Sequence, residues 1–280
     1  MKVLPFKIPK PEFDALVYQE DLVSHFYDKL HQHEEIQLSY INEGEGTLIV
    51  GDTVNYYKKG DILVIGSHLP HVFKSDIEAT PKSHMLSLFF TKTSFGTGFF
   101  DLEELKDLNS FFKRSTHGFK ISTKATHLHE LFLKLEDASK LQRFIILLKL
   151  LKKASKAKYK SLSSFIYEKK YNAIEGKRMQ DVFEYTMKHY DKDISLETIA
   201  SVASMTKNAF CKYFKKRTNK TYFRFLSELR IEYACKLMES PNDLSISEIA
   251  YKAGFKNISN FNRQFKTIKS MTPSNYKKRL

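Results

Sequence analysis

The sequence has little cysteine and no long hydrophobic run. Its two cysteines, Cys211 and Cys235, are too few for a disulfide framework or for a zinc site made of four thiolates, so we expect a reducing compartment. No stretch approaches the roughly 18 apolar residues of a transmembrane helix, and the N-terminal segment MKVLPFKIPK has no apolar core of signal-peptide length. These absences predict a cytoplasmic protein that is neither secreted nor anchored in a membrane.

The composition is that of a globular chain, but the charge is unevenly distributed. Of the 280 residues, 42% are hydrophobic and 28% are charged, which suffices for two domains of ordinary size. Residues 1–139 carry a net charge of −5, residues 140–177 of +9 and residues 178–280 of +10. An acidic front half joined to a basic back half is typical of a nucleic-acid-binding module fused to another domain, although a solvated lysine-rich surface gives the same pattern.

The first third of the sequence has the pattern of short β-strands. Between Glu35 and Phe90, runs rich in β-branched and aromatic residues are separated by turn signals such as residues 42–44 and 59–61. The runs are IQLSYI, GTLIV, TVNYY, DILVIG and HMLSLFF. Strands of this length, spaced by about 8–12 residues, predict an antiparallel barrel or sandwich.

From about Asp101 the hydrophobic period lengthens to that of helices. Apolar residues recur at three- and four-residue spacing from Leu128 to Leu151, and residues 144–148 are apolar on almost every face. The apolar surface of such a helix is too wide to be buried by its own domain alone. We expect a second copy of the same helix to bury the remainder in a dimer. The lysine- and serine-rich segment 152–178 that follows is the best candidate for a domain boundary.

The back half contains one element twice. The segment ISLETIASVASMT at 194–206 aligns with LSISEIAYKAGFK at 244–256, and the phenylalanine pair Phe210 and Phe214 aligns with Phe261 and Phe265. Each copy has the pattern of a helix-turn-helix, over 194–217 and 244–268. Two copies are too few for a solenoid, which needs at least three stacked repeats.

Capping and turn residues support this interpretation. In the second copy, Ser245 and Glu248 form a capping box, Gly254 supplies a left-handed turn and Asn257 can cap the next helix. Helix-turn-helix pairs also occur as plain structural corners, but Lys, Asn or Arg on both second helices favours DNA binding. The helix expected over 221–239 is then a rigid spacer. If it sets the second helices about 34 Å apart, both can enter successive major grooves.

Residues 178–280 resemble the DNA-binding domain of the AraC/XylS family of bacterial transcription regulators. The string SISEIAYKAGFKNISNFNRQFK carries most of the resemblance, together with matching positions in the first copy and the pair Thr272-Pro273. Ser204, Asn219 and Ser270 stand where the family has glycine. Because serine tolerates a left-handed backbone less well than asparagine, we expect strain at the two serines.

The resemblance implies that the second helix of each unit lies in the major groove of promoter DNA. The base-reading residues carried over by position are Asn208, Cys211, Lys212, Ile258, Ser259, Asn260 and Arg263. Asparagine can pair with adenine, lysine or arginine with guanine, and isoleucine can touch a thymine methyl. Lys207, Lys215, Lys256 and Lys266 are expected on phosphates. For Cys211, the alternative that it is a small buried residue without a DNA contact is equally well supported.

Several histidines of the front half resemble the two sequence stretches of a cupin barrel. In metal cupins the first stretch supplies two histidines and a carboxylate, which here correspond to His31, His33 and Gln37, and the second supplies a further histidine, here His71. Glutamine is a poor replacement for a carboxylate ligand. We therefore predict no metal and no cofactor, and a structural or effector-contacting role for His31, His33, Gln37, Tyr40 and His71.

Together these features predict an α+β multidomain chain, with an N-terminal antiparallel cupin-like β-barrel followed by helices and an all-α C-terminal domain. The expected divisions are a sensor domain over 1–125, a dimerisation helix and basic connecting segment over 126–177, and the DNA-binding domain over 178–280. The predicted function is a nucleoid-associated, homodimeric regulator that responds to a small-molecule effector, engages RNA polymerase and is not an enzyme.

Two alternatives belong to other functional classes. A metal-dependent cupin enzyme with an appended nucleic-acid-binding domain would also account for the two halves, but Gln37 stands where its carboxylate ligand is expected. A constitutive architectural DNA binder is disfavoured because the outward side chains suit base reading.

Overall fold

The computed structural model describes Ile8 and residues 14–121, 127–164, 173–240 and 243–280. The chain divides into two compact units, Met1–Ala173 and Ile174–Leu280. The division lies close to residue 178, where the DNA-binding domain is predicted to start. Within the described ranges, no helix combines the length and the apolar composition needed to cross a membrane.

In the described residues, the first unit contains two antiparallel sheets. The six-stranded sheet has the order β1 (Val17–Val23), β7 (Ser83–Phe90), β2 (Ile36–Glu43), β5 (Ile62–Ile65), β8 (Phe119–Ile121) and β9 (Tyr159–Ser161). The three-stranded sheet has the order β4 (Thr53–Tyr57), β3 (Gly46–Val50) and β6 (His71–Ser75). All five predicted strands form, and the antiparallel fold class is confirmed. The two sheets have separate hydrogen-bond ladders, so the predicted barrel is a pair of facing sheets rather than one closed ladder.

The core of the first unit lies on both faces of the larger sheet. Between the two sheets, residues such as Ile41 and Leu63 pack with Leu48 and Phe73 of the smaller sheet. On the opposite face, the larger sheet is covered by helices α1 (Asn109–Ser115), α2 (Leu128–Leu133) and α3 (Lys140–Lys156). Strand β5, with the sequence ILVI, is buried on both faces and is therefore apolar at every position.

Helix α3 differs from the continuous helix expected over Leu128 to Leu151. The chain leaves the helical state after Leu133 and restarts behind a capping box formed by Ser139 and Gln142. The buried side of α3 consists of Ile146, Leu147, Leu150, Leu151 and Ala154, which pack into the core of the first unit. The stretch 127–156 of the predicted dimerisation and connecting region is therefore part of that unit, and residues 165–172 of the same region lie outside the described ranges.

The described second unit is helical. After α4 (Ala173–His189) come α5 (Leu196–Val202) and α6 (Lys207–Thr218), the spacer α7 (Tyr222–Glu239), then α8 (Ile246–Lys252), α9 (Ile258–Lys269) and α10 (Pro273–Lys277). The predicted caps are confirmed: Ser195, Thr206 and Asn257 accept hydrogen bonds from the first turns of their helices, and Ser245 with Glu248 forms a capping box. Two helix-turn-helix pairs therefore form where the sequence repeat predicts them.

Equivalent positions of the repeat are buried in both copies. Ile199 and Ile249 are fully buried, and the small residues Ala200 and Ala250 are almost so. Phe210 and Phe214 of α6 pack against an aromatic cluster that includes Tyr222 and Phe225, while Phe261 and Phe265 of α9 pack with Phe255 and Tyr276. Each second helix is thus fixed to its unit by two phenylalanines on one side, which leaves its other side open to solvent.

The three substituted glycine positions all take up the backbone conformation that glycine favours. Ser204, Asn219 and Ser270 have φ angles of 53°, 54° and 59°, and the retained glycine at the second turn, Gly254, has 84°. A left-handed residue with a Cβ atom costs roughly 1–2 kcal/mol, with asparagine the least affected. The strain expected from the sequence is therefore located at the two serines.

Replacing Ser204 or Ser270 with glycine is expected to stabilise the second unit by about 0.5 kcal/mol each. Glycine removes left-handed strain of about 1–2 kcal/mol but adds about 0.4–1 kcal/mol of chain entropy to the unfolded state. Denaturant unfolding of the full chain, followed by far-ultraviolet circular dichroism, measures the change. Ser201→Gly, at an exposed position inside α5, is the control and should destabilise by about 0.5–1 kcal/mol. A loss of stability for all three variants would contradict the assignment of strain.

Candidate DNA interface and ligand cavity

The open side of α6 presents five of the predicted DNA-contacting residues. Lys207, Asn208, Cys211, Lys212 and Lys215 are all exposed. At about 100° per residue these positions fall within one arc of about 140°, which excludes the buried Phe210 and Phe214. The alternative that Cys211 is buried is therefore wrong. The arrangement forms a basic stripe that contains one amide and one thiol.

The open side of α9 repeats this arrangement. Ile258, Ser259, Arg263 and Lys266 are exposed and occupy the positions that Lys207, Asn208, Lys212 and Lys215 occupy on α6. The predicted residue Asn260 is exposed as well, but it lies about 60° outside this arc, and its Oδ1 atom accepts a hydrogen bond of 3.0 Å from Arg263. The exposed Asn262, which the prediction omits, matches Cys211 in position. Alignment of the two copies is the signal that finds it.

Two of the four predicted phosphate-contacting lysines form exposed ion pairs. Lys256 Nζ lies 2.7 Å from Asp193, whose pKa it holds below the usual range, and Lys207 Nζ lies 3.6 Å from Glu197. Exposed pairs of this kind contribute little to stability. Phosphate oxygens can therefore replace the carboxylates at small cost, while Lys215 and Lys266 extend along the outer faces of α6 and α9.

Arg230 of α7 connects the two helix-turn-helix pairs. Its Nε atom donates to the carbonyl of Tyr190 at 2.6 Å and its Nη2 atom donates to the carbonyl of Lys192 at 2.7 Å, both in the loop between α4 and α5. The same loop packs against Gly254 in the second turn, where an added Cβ would lie 2.7 Å from the Tyr190 carbonyl oxygen. The second turn and the entry to the first pair are therefore held together.

Three of the predicted effector-contacting histidines form one buried cluster. His31 and His71 exchange backbone hydrogen bonds of 3.0 and 2.9 Å as an isolated β-bridge, which brings their ring centroids to 4.1 Å. His33 is placed 5.1 Å from the His71 ring. One nitrogen from each of the three rings lies within 4.8 Å of the others. Long-range backbone pairing, not sequence proximity, assembles this cluster.

The hydrogen bonds of the cluster fix which ring nitrogen carries the proton. The Nδ1 atoms of His31, His33 and His71 lie 2.8, 2.8 and 2.9 Å from the backbone carbonyls of Lys29, Glu35 and Leu69. A carbonyl only accepts, so each Nδ1 carries the hydrogen. Burial lowers the pKa of all three imidazoles, that of His31 to about 4, and the rings are neutral at pH 7. Each Nε2 atom is consequently a lone-pair donor to any ligand that reaches it.

His31 and His33 border a cavity of about 380 Å³ in the first unit, whereas His71 packs against their rings and is not among the lining residues. This volume lies at the lower end of the range for small-molecule sites. Its lining consists of Ile8, Gln19, Asp21, Val23, His25, Phe26, Tyr27, Asp28, His31, His33, Gln37, Phe73, Met85 and Phe89. Gln19, Asp21 and Val23 come from β1, which the prediction misses because its sequence VYQEDLV does not alternate between apolar and polar residues. Burial raises the pKa of the Asp21 carboxyl.

Tyr40 does not line this cavity, which corrects one predicted effector contact. Side chains of a strand alternate between the two faces, and Tyr40 shares a face with Ile36 and Leu38. It packs against Phe132 of α2 at a ring distance of 5.7 Å. Gln37 lies on the opposite face of β2 and lines the cavity. Tyr27, which the prediction does not include, lines the cavity as well.

Comparison with known protein families assigns both parts of the chain. Residues 199–279 match the model of a helix-turn-helix domain, and residues 20–82 match the model of a cupin domain. The prediction of a cupin-like domain followed by a helix-turn-helix domain is thereby confirmed.

The similar proteins include several bacterial regulators. An uncharacterised HTH-type transcriptional regulator of Bacillus subtilis, YdeC, is 33% identical over 105 residues, which is 38% of this chain and 36% of that protein. The MmsAB operon regulatory protein of Pseudomonas aeruginosa is 29% identical over 34% of this chain and 31% of its own length. A solved structure, a probable AraC family transcriptional regulator from Rhodopseudomonas palustris, aligns with 37% of this chain and 96% of its own at 19% identity, with a TM-score of 0.35. The chain thus spans about a third of the length of the two curated relatives.

Proposed function

We propose that this chain, a cupin domain followed by a helix-turn-helix domain, is a sequence-specific DNA-binding transcription regulator that responds to a small ligand in its first unit. The observation that carries the proposal is the repeated exposure of amide and cationic side chains on α6 and α9, each backed by two fully buried phenylalanines. Side chains of this chemistry suit the base edges of the major groove and the phosphates beside it.

On each of the two exposed arcs, some side chains are suited to base edges and others to phosphates. Lys212 and Arg263, at equivalent positions, are suited to guanine, and Asn208 is suited to adenine. Cys211, Ile258, Ser259, Asn260 and Asn262 complete the base-facing set, with Lys207, Lys215, Lys256 and Lys266 on phosphates. The 18-residue spacer α7 is about 27 Å long at 1.5 Å per residue, a length compatible with placing α6 and α9 in successive major grooves.

We assign the cavity of the first unit to the effector and no catalytic role to the chain. His31, His33 and Gln37 supply nitrogen and oxygen donors in a partly apolar pocket, which suits binding and orientation of a small ligand. The curated relatives that the chain matches are named as regulators, in agreement with a sensor rather than an enzyme. As a promoter-bound regulator the chain would act on RNA polymerase in the bacterial cytoplasm.

We further propose that the regulator is a homodimer joined through α3. The outward side of this helix carries Leu141, which is 69% exposed, and Ile145, which is 43% exposed, while its inward side is already buried. The neighbouring Leu148 is partly buried and packs against the core of the first unit. A two-fold axis through this surface would bury both copies of each residue.

Replacing Leu141 and Ile145 together with glutamate is expected to convert the dimer to a monomer. Each side chain is buried twice in a symmetric dimer at about 1.5–3 kcal/mol per residue, so the dissociation constant should rise at least about 100-fold. Sedimentation velocity of the full chain measures the change. Lys153→Glu, an exposed position towards the side of α3, is the control and should leave the dimer intact. A dimer that survives the double substitution places the interface elsewhere.

Selection from a pool of randomised duplex DNA tests the proposed function. The full chain should enrich one motif with two short conserved blocks about one helical turn apart, since each of α6 and α9 contacts one major groove. Recovery of unrelated sequences with uniform affinity would overturn sequence-specific regulation and leave a non-specific basic surface as the explanation of the charge.

A further inference from the structure

Asp21 is a carboxylate of the cavity wall without a cationic partner in the part of the chain that the structure describes. It lies on β1, is partly exposed and accepts a hydrogen bond of 2.8 Å from Gln19 Nε2. Burial raises the pKa of its carboxyl, and no positive group counteracts that shift. The other lining carboxylate, Asp28, already lies 3.7 Å from Lys74 Nζ and 4.0 Å from Lys29 Nζ. Asp21 is therefore the carboxylate that a positively charged ligand would stabilise.

The charge of the cavity wall favours a cation. Among the described residues that line the cavity there is neither lysine nor arginine, which contrasts with the net charge of +14 of the whole chain. The lining histidines His31 and His33 are neutral at pH 7, because burial lowers the pKa of both imidazoles. An anionic ligand would meet Asp21 without a compensating positive side chain in the wall, whereas a cation is attracted by it.

A second part of the wall offers hydrogen-bond acceptors that carry no charge. His33 is buried, and because its Nδ1 atom carries the hydrogen, its Nε2 atom is an acceptor. Gln37 donates its amide Nε2 to Ser39 Oγ at 2.9 Å, and its carbonyl oxygen lies 3.4 Å from His33 Nε2. Both of these facing atoms hold lone pairs, so neither satisfies the other. An O–H or N–H group of a ligand would supply the donor that they lack.

Strand register separates these two polar parts of the wall. Asp21 is paired with Met85 and Gln37 with Phe89, and the two partners are four residues apart on β7. At about 3.3 Å per residue, the separation along the strand is roughly 13 Å. The lining also contains Met85, Phe89 and Phe73, whose side chains can bury an apolar body and attract a cation over an aromatic face. The cavity therefore suits an elongated ligand with different polar groups at its two ends.

We propose that the cavity binds a small organic ammonium ion that has an apolar body and a hydroxyl or N–H donor at its far end. The ammonium group contacts Asp21, and the far donor contacts His33 and Gln37. The inference rests on the proposed effector site and names the chemical class of its ligand. An ammonium group has only donors, so it matches a carboxylate that lacks a cation, and hydrogen bonds between charged groups are the strong ones.

Three phenols that differ only in the charge of their head group test the proposal. Tyramine carries an ammonium, tyrosol a neutral hydroxyl and para-hydroxyphenylacetate a carboxylate on the same body. Calorimetric titration of the full chain should show one tyramine site per chain, with a dissociation constant at least about tenfold lower than that of tyrosol. The carboxylate should bind most weakly. Absence of tyramine binding, or binding of tyrosol or the carboxylate as tight as that of tyramine, would overturn the proposal.

Asp21→Asn assigns the charge preference to one residue. It should weaken tyramine binding by about tenfold or more and leave tyrosol binding unchanged, whereas a merely structural role would weaken both alike. Glu20→Gln is the matched control, because Glu20 neighbours Asp21 on the opposite face of β1, where it lies 2.7 Å from His84 Nε2, and this variant should bind as the original chain does. Equal losses of tyramine and tyrosol in Asp21→Asn would contradict the assignment.

The order of the three phenols on the unaltered chain decides the question if Asp21→Asn does not fold. Because the readout is ligand binding alone, its failure leaves the result of the DNA selection unchanged. Failure of the ligand class and failure of the proposed DNA-binding function are therefore distinguishable.

Discussion

Replacing Gly254 with alanine is expected to lower the free energy of unfolding of the second unit by about 3 kcal/mol. Two costs add at this position. The φ angle of 84° is strained for any residue with a Cβ atom, at about 1–2 kcal/mol. The new methyl group would also lie 2.7 Å from the Tyr190 carbonyl oxygen and 2.8 Å from Asp191 Cα, and backbone atoms cannot turn aside as a side chain can, which adds about 1–3 kcal/mol.

The loss should be confined to the second unit and should reduce DNA binding. The chain has no tryptophan, so denaturant unfolding followed by far-ultraviolet circular dichroism is the first measurement. Hydrogen exchange resolved by peptide then shows whether α8 and α9 open more readily. A shift of the turn away from the loop between α4 and α5 would also displace α9 relative to α6, which predicts weaker binding to a site that needs both helices.

Gly60→Ala is the matched control for this prediction. Gly60 has a φ angle of 91°, but nothing lies within 4 Å of the position where its Cβ would be placed. Its replacement should therefore cost only the backbone strain, about 1 kcal/mol, in the first unit. Equal losses in the two variants would mean that the close approach of the second turn to Tyr190 does not contribute.

Arg263→Ala is expected to reduce discrimination among DNA sites by about 1–3 kcal/mol, which is roughly 5- to 150-fold. A guanidinium forms two parallel hydrogen bonds with guanine, and alanine at this position leaves those base atoms unpaired. In the free protein Arg263 is exposed and donates to Asn260 Oδ1 at 3.0 Å, so its loss removes no buried contact. Competition binding between the motif recovered by selection and random duplex DNA measures the ratio.

Lys266→Ala provides the comparison on the same helix. A phosphate contact fixes position without reading sequence, so this variant should weaken selected and random DNA alike. The slope of log affinity against log salt should also fall by about 1. If Arg263→Ala weakened both kinds of DNA equally, Arg263 would be a phosphate contact, and the base-facing side of α9 would have to be reassigned.

The helix-turn-helix units were predictable because the rules that shape them act over a few residues. A serine followed three residues later by glutamate and an apolar run favours the start of a helix, and Phe261 and Phe265, four residues apart, share one face of that helix. The left-handed turns at Ser204, Asn219 and Ser270 follow from their places just after helices. Because the element occurs twice, the capping residues and the phenylalanine pairs could be recognised in both copies. The strands between Glu35 and Phe90 were predicted from similarly local patterns.

The effector cavity was only partly predictable because its walls come from distant segments. The sequence singles out His31, His33 and His71, but only the backbone bridge between His31 and His71 places the rings 4.1 Å apart. Tyr40 was predicted in the site because an aromatic face with a hydrogen-bonding hydroxyl suits a small ligand, but the alternation of β2 turns it to the opposite face. The strand β1, which supplies Asp21, is recognised by its pairing with β7.

By itself, the amino-acid sequence determined the order of the two domains, the caps and turns of both helix-turn-helix pairs, and the chemistry available on α6 and α9. Tertiary structure decided that the outer side of α3 exposes Leu141 and Ile145 and that three histidines converge beside a cavity. The division has a physical reason. Backbone conformation and helix faces depend on neighbours along the chain, whereas convergence of side chains depends on strand register and packing between residues far apart in sequence.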